Sequence, residues 1–189
     1  PFDDMDIILG QSTICQEIFD EIEPDYILSC VGGGGLISGI GSYIKTFEKN
    51  CKVIGAEPDN ANSMYLSLLH NEITSIKELD TFVDGASVRT VGELTYKIGK
   101  DVIDNIYTIN KNELCSNMVD IYQNEGIILE PAGCLSISSL EHLKKEIVGK
   151  TVVCILSGGN NDILRYNEIV ERSLIHKGLK HYFLIDFNQ

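Results

Sequence analysis

Residues Val31-Gly32-Gly33-Gly34-Gly35-Leu36 place four consecutive glycines between an apolar, strand-like run and a segment of helical period. Four glycines in a row cost backbone entropy, so the conformation they allow must itself matter. Without Cβ atoms, successive amide N–H groups can converge on one anion, and the helix that follows offers its positive dipole end. A phosphate is the natural guest. A second segment, Leu156-Ser157-Gly158-Gly159-Asn160-Asn161-Asp162, also follows an apolar run. Ligands of open parallel sheets bind beyond the carboxyl ends of the strands. Ser157 and the Gly32–Gly35 loop are therefore expected to face one crevice. The plainer readings are a flexible turn at the glycines and a helix N-cap at Ser157, a position that Ser and Asn both suit.

The glycines between positions 32 and 41 match no register of the G-x-G-x-x-G dinucleotide pattern. Glu57 is a decoy, because it ends the next strand where a ribose-binding acid would sit. Gly149-Lys150-Thr151 resembles the tail of a Walker loop, but it precedes a strand and lacks the upstream glycine. The six cysteines include no C-x-x-C pair, and Cys30 and Cys154 lie in apolar runs, so all are expected as reduced thiols, mostly in the core. His70, His142, His176 and His181 show no metal-ligand spacing, and the first two are expected on solvent-facing helix surfaces. Lys45, Lys100 and Lys144 read as solvated helix charges. Arg89 could reach an anion, although a surface salt bridge is the stronger expectation.

The elements that must position these groups follow an alternating pattern. Strands are predicted at Tyr26–Val31, Lys52–Glu57, Asn105–Ile109 and Thr151–Leu156, with the first and last apolar enough for burial on both faces. A helix is predicted over Leu36–Phe47, where Leu36, Ile40, Ile44 and Phe47 recur on one side. Another starts from an N-cap at Asn110, with Glu113 completing a capping box. A third starts at Pro131 and runs through Leu143. A charged helix covers Asn161–Arg172, a boundary falls near Ser173–Gly178, and Lys180–Phe187 reads as a new strand. The expected fold is α/β, an open and mostly parallel sheet with helices on both faces.

At 189 residues the chain can bury a full core. Its net charge of −13 argues against binding a nucleic-acid backbone, which needs clustered Lys and Arg. No run approaches the roughly 20 apolar residues of a membrane span, and no signal peptide is visible, so a cytoplasmic location is expected. The sequence starts at Pro1 without a methionine, and the predicted last strand has nothing after it to pack against. Both ends therefore read as cut.

Together these segments resemble the fold-type-II pyridoxal-phosphate enzymes, and among them the threonine ammonia-lyases. The pieces that carry the resemblance are Pro1-Phe2-Asp3-Asp4, Gly10-Gln11-Ser12-Thr13-Ile14, Gly32-Gly33-Gly34-Gly35-Leu36, Gly55-Ala56-Glu57-Pro58, Asp84-Gly85, Glu130-Pro131-Ala132-Gly133 and Ser157-Gly158-Gly159-Asn160. The resemblance implies a tryptophan-synthase-β-like sheet, with residues 1–176 as part of a catalytic domain. Residues 177–189 would begin a truncated, ACT-like regulatory domain of the biosynthetic type.

It also implies pyridoxal 5'-phosphate as cofactor, its phosphate held by the backbone of Gly32, Gly33, Gly34, Gly35 and Leu36. Ser157 would meet the pyridine nitrogen, with Gly85 and Glu130 near the ring. A cation site at Glu57 and the backbone of Ala61 is implied but doubtful, because Ser63 stands where relatives carry an acid. Ser12 replaces a usual glycine, which a loop adjustment would accommodate. The implied reaction is β-elimination of L-threonine to 2-oxobutanoate and ammonia in isoleucine biosynthesis, in a homo-oligomer. The lysine that binds the cofactor aldehyde, and the loop that grips the substrate carboxylate, would lie upstream of Pro1. The 189 residues alone are then expected to be inactive. Serine racemases, serine/threonine dehydratases and cysteine-synthase-like lyases share the same loops, and a non-catalytic phosphate or nucleotide module is the reading from a different class.

Overall fold

The computed structural model describes residues 1–47 and 50–186. The chain opens with helix α1 (Met5–Glu21). Gly10, Ser12 and Thr13 lower its propensity and hide it from a periodicity reading. What starts it is Asp4, whose carboxylate accepts from the amides of Asp6 (2.9 Å) and Ile7 (3.3 Å), a cap worth about 1 kcal/mol. The Gly10–Ile14 segment is thus helical and needs no loop adjustment at Ser12. The Ser12 hydroxyl donates to the Leu9 carbonyl at 2.6 Å.

Then follow β1 (Tyr26–Cys30), α2 (Gly35–Phe47), β2 (Lys52–Pro58) and α3 (Ser63–His70). A 3-10 turn at Asp84–Ala86 precedes α4 (Glu93–Val102), β3 (Asn105–Ile109) and α5 (Lys111–Glu125). The remainder is α6 (Pro131–Ser138), α7 (Leu140–Leu143), β4 (Val152–Cys154), a 3-10 turn at Ile163–Arg165 and α8 (Tyr166–His176). All pairings are parallel, in the order β3-β2-β1-β4. From β1 the chain crosses to β2 on one side, while β4 adds on the other. The strand order therefore reverses at β1, and the crevice of such a sheet opens beyond the ends of β1 and β4.

Helices cover both faces. On one, Cys15 of α1 and Ile37, Ile40 and Ile44 of α2 pack with Val53 of β2 and Met64 of α3. On the other, Leu114, Cys115 and Met118 of α5 meet Leu135 of α6 and Ile169 of α8. Gly39 sets the approach of α2 to α1, since a Cβ there would overlap the Ile8 carbonyl and lie 2.9 Å from the Ser12 amide. None of the six cysteines is joined in a disulfide; four are buried and two half-buried.

Several expectations need correction. β4 is shorter than Thr151–Leu156 and only half-buried, because it is an edge strand paired on one side. The helix from Pro131 breaks at Ser139, where the Ser138 and Ser139 hydroxyls turn back onto the carbonyls of Cys134 and Ser136, a bonding pattern that competes with helix continuation. Asn110 does cap α5, accepting from the Asn112 amide at 2.9 Å, but Glu113 faces His142 Nε2 at 3.3 Å instead of closing a box. The charged helix begins at Tyr166, after its 3-10 turn, and ends at His176. Residues 180–186 form no strand, since no neighbouring strand offers them a ladder; Phe187 lies outside the described residues. Among the described residues no helix is long and apolar enough to cross a membrane.

Candidate functional site

A cleft of about 320 Å³ opens at the carboxyl ends of β1 and β4. Its lining unites Gly32, Gly33, Gly34, Gly35, Leu36, Gly85, Glu130 and Ser157. Those eight residues arrive from four separate parts of the chain. Phe2, Ile7, Gln11, Cys30 and Ala132 complete the wall.

The glycine loop leaves β1 as its ladder ends, with the Val31 amide donating to the Ala56 carbonyl at 2.8 Å. Gly34 adopts φ +91°, the left-handed region that favours glycine. The first helical bond of α2 runs from the Ser38 amide to the Gly34 carbonyl, at 3.0 Å. Among the described residues, the amides of Gly32, Gly33 and Gly34 donate to no protein acceptor. They stand free at a helix N-terminus, where the dipole favours an anion.

The N-terminal segment clamps this loop. Asp3 accepts from the Thr95 amide at 2.9 Å, and the Thr95 hydroxyl donates to the Gly33 carbonyl at 2.7 Å. The Phe2 ring lies against Gly33, so closely that a Cβ at position 33 would overlap it. From the opposite side the Asp84–Ala86 turn closes in, and a Cβ at Gly32 would lie 3.0 Å from the Ala86 Cα.

Glu130 occupies the N-cap position of α6 without capping it by its side chain. Its amide donates to the Gly158 carbonyl at 3.2 Å. Its carboxylate lies where a Cβ on Gly85 would come within 3.5 Å and one on Gly158 would overlap. Those glycines leave room for the acid at the cleft wall. Ser157 is exposed, and its Oγ lies 3.2 Å from the Sγ of Cys30. Cys30 was expected as a core hydrophobe. It does pack on the core, but it also reaches the cleft. Burial pushes its thiol pKa up, the hydrogen bond with Ser157 offsets part of that rise, and the nearby Glu130 charge adds to it.

Glu57 and Ala61 stand apart from the cleft. Glu57 is fully buried and accepts from the Met64 (3.0 Å) and Tyr65 (2.7 Å) amides at the start of α3. Burial raises its pKa to about 8 against those two bonds. Beside it the Ser63 hydroxyl is buried and, among the described residues, has no hydrogen-bond partner. Among the described residues no three or more His, Cys, Asp and Glu side chains gather as for a metal. Among the described residues Arg89 makes no salt bridge; it donates instead to the carbonyls of Ile76 (2.6 Å) and Lys77 (2.8 Å). His142 stacks on Tyr107, with ring centroids 5.5 Å apart. Lys45 pairs with Asp104 and Lys144 with Glu141, while Lys100 is exposed.

The sequence model of a family described as pyridoxal-phosphate dependent enzymes matches residues 1–158, which contain every residue lining this cleft. The chain belongs to the pyridoxal-phosphate-dependent enzymes. Within them it is 46% identical to the biosynthetic L-threonine dehydratase IlvA of Staphylococcus aureus, across all of this chain and 46% of that protein. The counterpart in Staphylococcus saprophyticus is 47% identical with the same coverage. The chain thus spans less than half the length of the curated relatives it matches. Among solved structures, the processed threonine deaminase isoform 2 of Solanum lycopersicum superposes with TM-score 0.87 at 33% identity, over 92% of this chain and 51% of that one. The serine racemase of Dictyostelium discoideum follows with TM-score 0.79 at 36% identity, over 86% and 53%. The fold is that of fold-type-II pyridoxal-phosphate enzymes, which accounts for its parallel sheet and its switch point at β1.

Sequence patterns did not single out Phe2, Ile7, Gln11 or Cys30 as site residues. The signal for Phe2 was its place in the Pro1–Asp4 motif; for Cys30 it was only that it ends the strand entering the glycine loop.

Proposed function

We propose that this chain is part of a threonine ammonia-lyase, which eliminates water from L-threonine and, once water hydrolyses the unsaturated amine that results, releases 2-oxobutanoate and ammonia in isoleucine synthesis. The observation that carries the reading is the convergence of free glycine-loop amides and the Ser157 hydroxyl on one cleft, in a chain 46–47% identical throughout to biosynthetic threonine dehydratases.

The cleft suits pyridoxal phosphate on structural grounds. Three unpartnered amides at the start of α2 match a phosphate dianion, and the side chains of Phe2 and Ala132 match an aromatic ring. When bound, the cofactor supplies an electron sink for the bond pair left at the substrate α-carbon. The backbone of Gly32 to Leu36 holds the phosphate. Ser157 offers a neutral hydroxyl to the ring nitrogen, and a hydroxyl cannot keep that nitrogen protonated as a carboxylate would. Held by Ser157 in this way, the cofactor would supply only a moderate electron sink. Gly85 admits the ring, and Glu130 sets a negative charge at the cleft wall.

The amine that joins the cofactor aldehyde belongs, in this proposal, to a segment outside these residues, because no lysine lines the cleft among the described residues. The proposal extends to a homo-oligomer located in the cytoplasm, and to residues 177–189 as the start of a regulatory unit. Exposed Tyr182, Phe183, Leu184 and Ile185 support that last point, being apolar side chains for another unit to cover. A cation at Glu57 and the Ala61 backbone completes it; one carboxylate that already accepts two amides makes this the weakest donor set, and a melting temperature unmoved by divalent ions removes it.

The test is to supply full-length protein with pyridoxal phosphate and L-threonine. Steady release of 2-oxobutanoate is expected. The structural likeness to a serine racemase at 36% identity favours one second reading, amino-acid racemisation. Formation of D-serine from L-serine, with no 2-oxo acid from threonine, would replace the first reading with the second.

A further inference from the structure

We infer that Cys30 is a positioning residue: its thiol donates to the Ser157 hydroxyl and thereby directs that hydroxyl's own proton into the cleft. This rests on the proposed meeting of Ser157 with the cofactor ring nitrogen.

Cys30 is the last residue of β1, and β4 pairs with β1 in the register Leu28 to Cys154. The Ile155 amide continues that ladder to the Leu28 carbonyl at 2.9 Å. Two residues further on, the strands deliver Cys30 and Ser157 to the same edge of the cleft, Sγ to Oγ 3.2 Å apart across 127 residues of sequence. Ser157 lies three residues beyond the end of β4, and the Ile155–Leu28 bond is the last ladder contact before it. Ser157 makes no other side-chain hydrogen bond among the described residues. Without Cys30 its exposed hydroxyl would rotate freely, sharing its proton among all directions.

Donation by the thiol occupies one lone pair of the serine oxygen and leaves the O–H free to point outward. The reverse bond, O–H to sulfur, is open to the same pair and equally weak, since sulfur is a weak donor and a weak acceptor alike. It loses to any nitrogen acceptor in the cleft. Burial holds the Cys30 thiol protonated, which keeps it a donor. A thiolate at this position would instead draw the serine proton away from the cleft.

The competing account is that Cys30 merely fills space beside the core as a small hydrophobe. The two accounts make opposite demands on the side chain. Filling space is served by Cys30→Val, donation by Cys30→Ser.

The experiment uses the full-length holoenzyme with Cys30→Val, Cys30→Ser and Cys30→Ala. Pyridoxal-phosphate affinity is read by fluorescence titration, the bound cofactor by its absorbance maximum, and folding by the melting temperature without cofactor. Cys30→Val and Cys30→Ala should each weaken binding about threefold to tenfold, the worth of one neutral hydrogen bond, and move the absorbance maximum. Cys30→Ser should stay within about twofold of the parent, with the maximum unmoved. In a Ser157→Ala background, Cys30→Val should have no further effect on affinity. Retention by valine with loss by serine would overturn the inference and assign Cys30 to packing; so would three variants indistinguishable from the parent, or a valine effect that persists without Ser157. Should Cys30→Val not fold, Cys30→Ala carries the comparison. A parent protein that takes up no pyridoxal phosphate would remove the proposed function first and this inference with it, whereas a parent that binds while Cys30→Ala binds equally well removes the inference alone.

Discussion

Gly34 shows what a single missing Cβ does here. Its φ of +91° is strained for any L side chain, and an added Cβ would meet the Met64 Cε at 2.6 Å and the Thr95 Cβ at 3.0 Å. Gly34→Ala should therefore lose about 1–3 kcal/mol of stability. At roughly 2–4 °C per kcal/mol for a chain of this size, calorimetry should record a clear drop; an unchanged melting temperature would mean that the loop relaxes freely. Gly33 differs, because its obstacle is one ring. A Cβ at position 33 would overlap Phe2, a side chain 40% exposed. Gly33→Ala and Phe2→Ala should thus be non-additive, the second relieving part of the cost of the first, as contacting residues do by about 0.5–3 kcal/mol. A double-mutant cycle in thermal denaturation reads that coupling directly, and strict additivity would refute the contact. Of the eight cleft residues, the glycine loop and Ser157 were legible because each lies in a short motif whose chemistry is local, whereas Gly85 and Glu130 entered only through the family resemblance. Cys30 and Phe2 were not legible, since their roles arise from contacts with Ser157 and Gly33, distant in sequence.

At the scale of elements, what positions the cleft is the junction of β1 with β4. Asp25, just before β1, accepts from the Thr151 amide at 2.9 Å and pairs with Lys150 at 2.9 Å. The Thr151 bond, then Lys150, lowers its pKa below the ordinary carboxylate value. A depressed folded pKa contributes stability that is complete above the unfolded value of about 3.9 and is lost as pH falls through the lower folded value. Asp25→Asn should remove that dependence, so acid unfolding of the variant should show a shallower limb below about pH 4. Parent and variant curves that run parallel there would exclude Asp25 as a contributor. The strands were readable from sequence because apolar, β-branched runs have few alternatives. Their context was harder: the apolar run at 151–156 does not say that β4 lies at an edge. Helix α1 escaped notice because its driving term is tertiary, the close crossing with α2 at Gly39, and not propensity. The break at Ser139 comes from serine hydroxyls choosing carbonyls, a choice invisible to hydrophobic period.

For the molecule as a whole, the decisive question is where its reactive amine comes from. Covalent capture of an aldehyde needs an amine that is both close and at least partly deprotonated, and proximity contributes the larger share. Among the described residues no lysine lines the cleft. Lys45, Lys111, Lys144, Lys150, Lys177 and Lys180 are held by carboxylates. Lys52, Lys77, Lys97, Lys100 and Lys145 are exposed and lie outside the cleft lining. The glycine-loop amides, by contrast, are all present and free. The 189-residue chain alone should therefore hold the phosphate end of pyridoxal phosphate weakly, and inorganic phosphate should displace it. It should form no specific covalent link: after borohydride treatment, peptide mapping should find label scattered below stoichiometry over surface lysines. One lysine labelled at a full equivalent would show that the amine is supplied from within these residues, and the proposal of a partnering segment would fall while the phosphate loop stood.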